Sequence, residues 1–170
     1  MLFRSNLAWC TPKGTPAANQ ARDLAGCDTD GHVLGALPMT NLSKNAYNLA
    51  VLYDKGPVSA RLAYSWRSKY LQAVNAYGTN GGEGIDANPD SPNFGQGYSV
   101  NYALPTYGGA YGQLDAGFHY KFSDNLNVSV EASNLTNSIY RQYMQQRIGL
   151  MERGAFYTGR SYSVRMGYSF

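Results

Sequence analysis

The side chains able to do chemistry are few, and most lack a partner at the right spacing. Asp28-Thr29-Asp30-Gly31 sets two carboxylates two residues apart before a glycine, as a calcium loop opens. No acid stands near the terminal ligand position of that pattern, so a plain turn is the expectation. Glu83, Asp86 and Asp90 lie in a Gly-, Asn- and Pro-rich stretch. They could gather a cation or meet a cationic ligand, with solvated loop charge as the simpler alternative. Cys10 and Cys27 have only His32 nearby as a further soft ligand, too few for zinc. There is no G-x-S-x-G, no metal-spaced His pair and no Gly loop placed to cradle phosphate. The chain is therefore expected to be neither an enzyme nor a holder of a metal or cofactor.

A second group of polar residues does follow a rule. Arg61, Arg67, Asp115, His119, Lys121, Glu131 and Arg165 all occupy one parity of alternating segments, with apolar residues at the other. Val58, Ala60, Leu62, Tyr64 and Trp66 alternate with Ser59, Arg61, Ala63, Ser65 and Arg67. Leu114, Ala116, Phe118, Tyr120 and Phe122 alternate with Gln113, Asp115, Gly117, His119 and Lys121. Such period-two order is the mark of a strand with two unlike faces. Six strands are expected, over roughly 2–9, 45–53, 58–67, 113–122, 126–133 and 161–170, the first poorly defined. Two connections are tight, Asp54-Lys55-Gly56-Pro57 and Ser123-Asp124-Asn125, and carry turn chemistry. Three are long, about 10–42, 75–108 and 137–157; the second reads as a structureless loop, whose length suggests binding surface or disorder.

Composition narrows the setting. Charged residues are 15% of the chain, well below the usual quarter, while aromatics reach 14% with 15 Tyr. A net charge of +3 without a basic block argues against nucleic acid. No apolar run approaches the ~18 residues of a membrane-spanning helix. The mean hydropathy of −0.40 would suit a soluble protein, but strands alternating lipid-facing and lumen-facing residues give such values too. Alternately long and short connections, with Tyr and Phe near strand ends, fit an outer-membrane barrel with short periplasmic turns and long external loops. The expected fold is thus all-β, an antiparallel up-and-down transmembrane barrel segment. Six strands cannot close a barrel for which about eight is the practical minimum. Open edges in lipid cost several kcal/mol per unpaired group. With no export signal in Met1-Leu2-Phe3-Arg4-Ser5-Asn6, the chain is expected to be the C-terminal piece of a longer protein. In that orientation the seven polar residues face a lumen, where they pair with one another, with water or with ligand. Cys10 and Cys27 face an oxidising compartment, and a disulfide closing their loop, worth ~3 kcal/mol, is expected against the alternative of two free thiols.

Several stretches resemble the end of TonB-dependent receptors. Val130-Glu131-Ala132-Ser133-Asn134-Leu135-Thr136-Asn137 is similar to the motif of their penultimate strand. Tyr157-Thr158-Gly159-Arg160-Ser161-Tyr162 resembles the opening of their last strand, and Gly167-Tyr168-Ser169-Phe170 its aromatic terminus. Ser59 to Leu71, with Arg61, Tyr64, Trp66, Arg67, Ser68 and Tyr70, resembles a late barrel strand. The likeness covers about 40–170. It implies a barrel of roughly 22 strands filled by an N-terminal plug, and import of siderophores, cobalamin or glycans driven through TonB. Plug, TonB, outer-membrane lipid, an external nutrient and the barrel assembly machinery are the implied partners. Tyr162, Val164, Met166, Tyr168 and Phe170 resemble the terminal signal that this machinery reads, and share a lipid face. A passive porin, an autotransporter barrel and a soluble β-sandwich binding module are the rival expectations.

Overall fold

The computed structural model describes residues 9–10, 25–76 and 78–170. The chain is all-β with antiparallel sheets: β1 (Ala46–Lys55), β2 (Val58–Arg67), β3 (Tyr70–Val74), β4 (Asn80–Gly84), β5 (Val100–Ala103), β6 (Pro105–Gly108), β7 (Tyr111–Lys121), β8 (Leu126–Ser133), β9 (Ile139–Gln146), β10 (Gly149–Tyr157) and β11 (Ser161–Tyr168). They form sheets ordered β1-β2-β7-β8-β11, β10-β9-β6-β3 and β4-β5, none closed into a barrel.

The chain divides into two compact units. One comprises Lys44–Ser68, Ala110–Tyr140 and Ala155–Phe170 and holds the five-stranded sheet. Five of the six expected strands correspond to its members, within two residues at most ends. The sixth, expected at 2–9, lies outside the described residues except for Trp9, which bridges His32. Gly56, at φ +59°, makes the tight β1–β2 turn that an L side chain would strain. The register Leu52↔Arg61↔Gly117↔Glu131↔Ser163 runs across all five strands, and Tyr53↔Ala60↔Phe118↔Val130↔Val164 runs beside it. From β2 to β11 most residues have an opposite number of like polarity, so alternation along a strand becomes two faces of a sheet, while on β1 Leu52 stands opposite Arg61 on the polar face. Gly112, opposite Trp66, leaves room for the Tyr64 and Trp66 rings that a Cβ would meet.

The other unit comprises Met1–Ser43, Lys69–Gly109 and Arg141–Gly154, so the three long connections gather in one body. The segment 75–108 is not structureless: it contains β4, β5 and β6. The segment 137–157 is largely the β9 and β10 strands, joined at Arg147 and Ile148. Period-two signals fail here because both faces are in part covered and Gly-rich strands such as Asn80–Gly84 carry no apolar alternation. Its core is small, with Cys27, Leu71, Ala103, Leu104 and Tyr107 buried. The disulfide Cys10–Cys27 is formed, with Cα atoms 6.1 Å apart. Cys27 also exchanges backbone hydrogen bonds with Ala103, in which Cys27 N donates over 2.8 Å and Ala103 N over 2.9 Å.

Candidate functional site

The five-stranded sheet carries every residue of the expected polar row on one face. Ser59↔His119↔Ser129↔Arg165 and Arg61↔Gly117↔Glu131↔Ser163 are successive rows, Ala63↔Asp115 lies next, and Lys121↔Asn127 and Arg67↔Tyr111 close its two ends. These groups engage one another over the sheet. Gln113 Nε2 donates to Asp115 Oδ1 over 2.8 Å, and the Asn134 N–H donates to the same oxygen over 2.9 Å. The His119 Nδ1 and Ser129 Oγ atoms are 2.9 Å apart. Arg165 Nη2 lies 3.8 Å from Glu131 Oε2, which also accepts from Ser163 Oγ over 3.4 Å. A shallow depression is lined by Arg61, Asp115, Glu131, Ser133, Ser161 and Ser163. It offers hydrogen-bond donors and acceptors of both charges, and no nucleophile set beside a base.

The opposite face is apolar and uncovered. No residue of the five strands is buried. Val51, Val164 and Met166 are 69%, 71% and 74% exposed, and Leu49, Tyr53, Phe118, Val130, Tyr162, Tyr168 and Phe170 are exposed as well. Aromatics collect toward its ends. Tyr47 stacks on Trp66 with centroids 5.2 Å apart. Tyr120 meets Phe122 at 4.5 Å, and Tyr168 meets Phe170 at 5.1 Å.

Two sequence motifs separated by some twenty residues meet in one polar knot. Asn134 is 3% exposed and sits at φ +55°, a conformation Asn tolerates. Its Nδ2 donates to Thr158 Oγ1 over 3.1 Å and to the Gly159 carbonyl over 2.9 Å, while its Oδ1 accepts from Ser138 N over 2.8 Å. Arg160 Nε donates to the Leu135 carbonyl over 3.2 Å. This role of Asn134 was not foreseen, since its partners only become neighbours once β8 pairs with β11.

In the other unit the acidic residues singled out in the sequence take part in local hydrogen bonds and ion pairs. Asp28 Oδ1 accepts from Thr29 N over 2.7 Å and its Oδ2 from Arg147 N over 2.6 Å. Asp30 Oδ2 lies 3.2 Å from Arg147 Nε and 3.0 Å from His32 Nδ1. Both acids thus serve a turn and its tie to the β9–β10 connection. Glu83 accepts from Tyr102 Oη over 2.8 Å, Asp86 Oδ1 from Asn88 N over 2.9 Å, and the Asp90 N–H donates to Asn88 Oδ1 over 3.1 Å. Among the described residues no three of His, Cys, Asp and Glu are placed to hold a metal ion. The hydrogen bond to Glu83 holds the Tyr102 phenol above its ordinary pKa, and burial does the same for Tyr107. In the turn after β7, the Lys121 ammonium lowers the Asp124 carboxyl below its ordinary value.

No protein-family model, curated protein or solved structure matches this chain.

Proposed function

We propose that the five-stranded sheet is a portion of the wall of an outer-membrane barrel, and that the protein serves TonB-dependent uptake of a large nutrient. The observation that carries this reading is the pairing of unlike faces: an unbroken, exposed apolar surface on one side and a hydrogen-bonded polar surface on the other. In water a contiguous apolar surface of this kind, running over five strands, would be a liability. In a bilayer it is the lipid face, and the polar side looks into the lumen.

Dimensions support the assignment. Ten residues separate Gly112, opposite Trp66, from Phe122 on β7 and its turn. At ~3.4 Å per residue that is about 34 Å of strand, or about 26 Å of height at a tilt near 40°, close to the ~25 Å apolar band of such barrels. Further strands would pair with the outer edges of β1 and β11 to complete the wall. The gathered long connections would form the external, nutrient-meeting body, and Phe170 with Tyr162, Val164, Met166 and Tyr168 the strand read by the assembly machinery. Coupled uptake rather than passive flow rests on the resemblance of the motifs around Asn134, Gly159 and Phe170 to those of TonB-dependent receptors.

Fractionation of a Gram-negative host making the intact protein tests the location: it should sediment with outer membranes and resist urea extraction, and a soluble periplasmic monomer would refute the wall. Planar-bilayer recording then separates the mechanisms. A plugged receptor shows no steady conductance, whereas a steady open channel would establish the porin instead.

A further inference from the structure

The polar face of the five-stranded sheet has a gap at its centre. Three glycines lie in these strands, Gly112, Gly117 and Gly167. A Cβ at Gly112 would run into the Tyr64 and Trp66 rings, and one at Gly167 would press on the Asn127 amide. At Gly117 a Cβ would meet nothing within 4 Å, and the backbone there is not left-handed. Neither a neighbouring side chain nor the local backbone therefore calls for glycine, which weakens the interior of a strand. A strand glycine of this kind marks a place where a ligand comes close.

The groups around it carry both charges. In the register Arg61 stands on one side of Gly117 and Glu131 on the other, while Asp115 and His119 flank it on the same face of β7. The depression lined by Arg61, Asp115, Glu131, Ser133, Ser161 and Ser163 has a volume of about 370 Å3. An adjoining one of about 380 Å3 reaches Leu52, Ser59 and His119. Arg61, Gly117 and Glu131 belong to both, so the glycine lies where the two meet. Each volume is within the roughly 300–1,000 Å3 range of small-molecule sites.

We infer that the depression over Gly117 binds a small zwitterion, a free α-amino acid with an apolar side chain, its carboxylate on Arg61 and its ammonium on Glu131. The site needs only that this face meets water, so it goes beyond the question of which nutrient is imported. Spacing is the first reason. Arg61 and Glu131 are two strands apart, about 9.5 Å, on side chains that stand off the sheet. A charge-assisted hydrogen bond of ~2.8 Å at each end leaves about 4 Å between the ligand's own charges, close to the ~3.5 Å that one residue spans. Charge balance is the second. Arg61 and Arg165 stand against Asp115 and Glu131 on this face, so a lone anion or a lone cation meets like charge as well as unlike. The third is spare bonding capacity. Asp115 accepts from Gln113 and Asn134 at 2.8 and 2.9 Å, whereas Glu131 has longer contacts, 3.8 Å to Arg165 and 3.4 Å to Ser163. A carboxylate has about four lone-pair sites, and Arg61 enters none of these pairs. Leu52, 72% exposed and opposite Arg61, offers the ligand's side chain an apolar surface.

The test is titration calorimetry on the intact protein purified in detergent, with three probes that share one carbon skeleton. Leucine carries both charges, 4-methylpentanoate the carboxylate alone and 3-methylbutylamine the ammonium alone. Leucine should bind at least tenfold more tightly than either of the others. Gly117→Val fills the depression without a clash and suits a strand, so it should abolish leucine binding without lowering the melting temperature. Arg61→Gln should bring leucine down to the affinity of 3-methylbutylamine; Arg61 is exposed, so this variant stands even where Gly117→Val unfolds the sheet. No binding of leucine, a singly charged probe that binds as tightly, or binding indifferent to either variant would overturn the inference. Because binding is read on purified protein, its failure leaves the fractionation result standing, and the converse also holds.

Discussion

Neighbouring residues on one strand should respond oppositely to the same substitution. Val130 and Ser129 are consecutive in β8, yet Val130 joins the exposed row of Phe118 and Val164, while Ser129 sits between His119 and Arg165. In the proposed wall, Val130→Arg would place a guanidinium in hydrocarbon and should cost ~2–4 kcal/mol near the bilayer midplane. Ser129→Arg should be much milder, because its long side chain reaches a polar surface. Refolding of each variant into lipid vesicles against urea measures the difference, and equal losses would contradict the assignment of faces. Asn134 makes a different residue-scale prediction. Its amide satisfies the ends of two strands from a buried position. Asn134→Ala would strand those groups at about 1–3 kcal/mol, read in the same refolding experiment. A loss no larger than that at an exposed asparagine such as Asn48 would show that the knot does not stabilise the sheet.

At the scale of elements, the disulfide is the test of the small core. Cys27 is fully buried, bonded to Cys10, paired with Ala103, and next to Asp28, which accepts from Arg147 in the β9–β10 connection. Removing the bond through Cys10→Ser should cost ~3 kcal/mol in the chain-entropy model and speed tryptic cleavage after the exposed Arg147. Unchanged cleavage would show that the β9–β10 connection is held without the bond. The last strand makes its own prediction: Phe170→Ala should reduce the heat-resistant, assembled species of the intact protein on semi-native gels, and undiminished assembly would remove Phe170 from the assembly signal.

The same scale shows what could be read in the sequence and what could not. β2, β7, β8 and β11 were legible because one unlike pair of faces forces strict alternation over eight or more residues. β4, β5 and β6 were not: Asn-Gly-Gly-Glu-Gly has no apolar period, and the four residues of Pro105–Gly108 are buried on both sides. The β9–β10 pair was hidden by its mixed polar composition, Arg141 and Glu152 forming a cross-strand ion pair at 2.7 Å. Seven polar residues could be assigned to one face because parity alone decides that. The Glu83–Tyr102 and Asp30–Arg147 pairs could not, since loops, not periodicity, bring them together.

For the molecule as a whole, one unit presents two uncovered faces of opposite character, and the other gathers the long connections around a small, disulfide-linked core. The unlike faces of the first unit suit the proposed wall in lipid. The most direct measurement is depth-sensitive fluorescence quenching in vesicles of brominated lipid, comparing Val164→Trp with Ser163→Trp in the intact protein. Against the parent signal from Trp9 and Trp66, the tryptophan at 164 should be strongly quenched by bromines on the acyl chains and the one at 163 hardly at all. Equal quenching at the two positions, or none at 164, would contradict a sheet whose apolar rows face lipid.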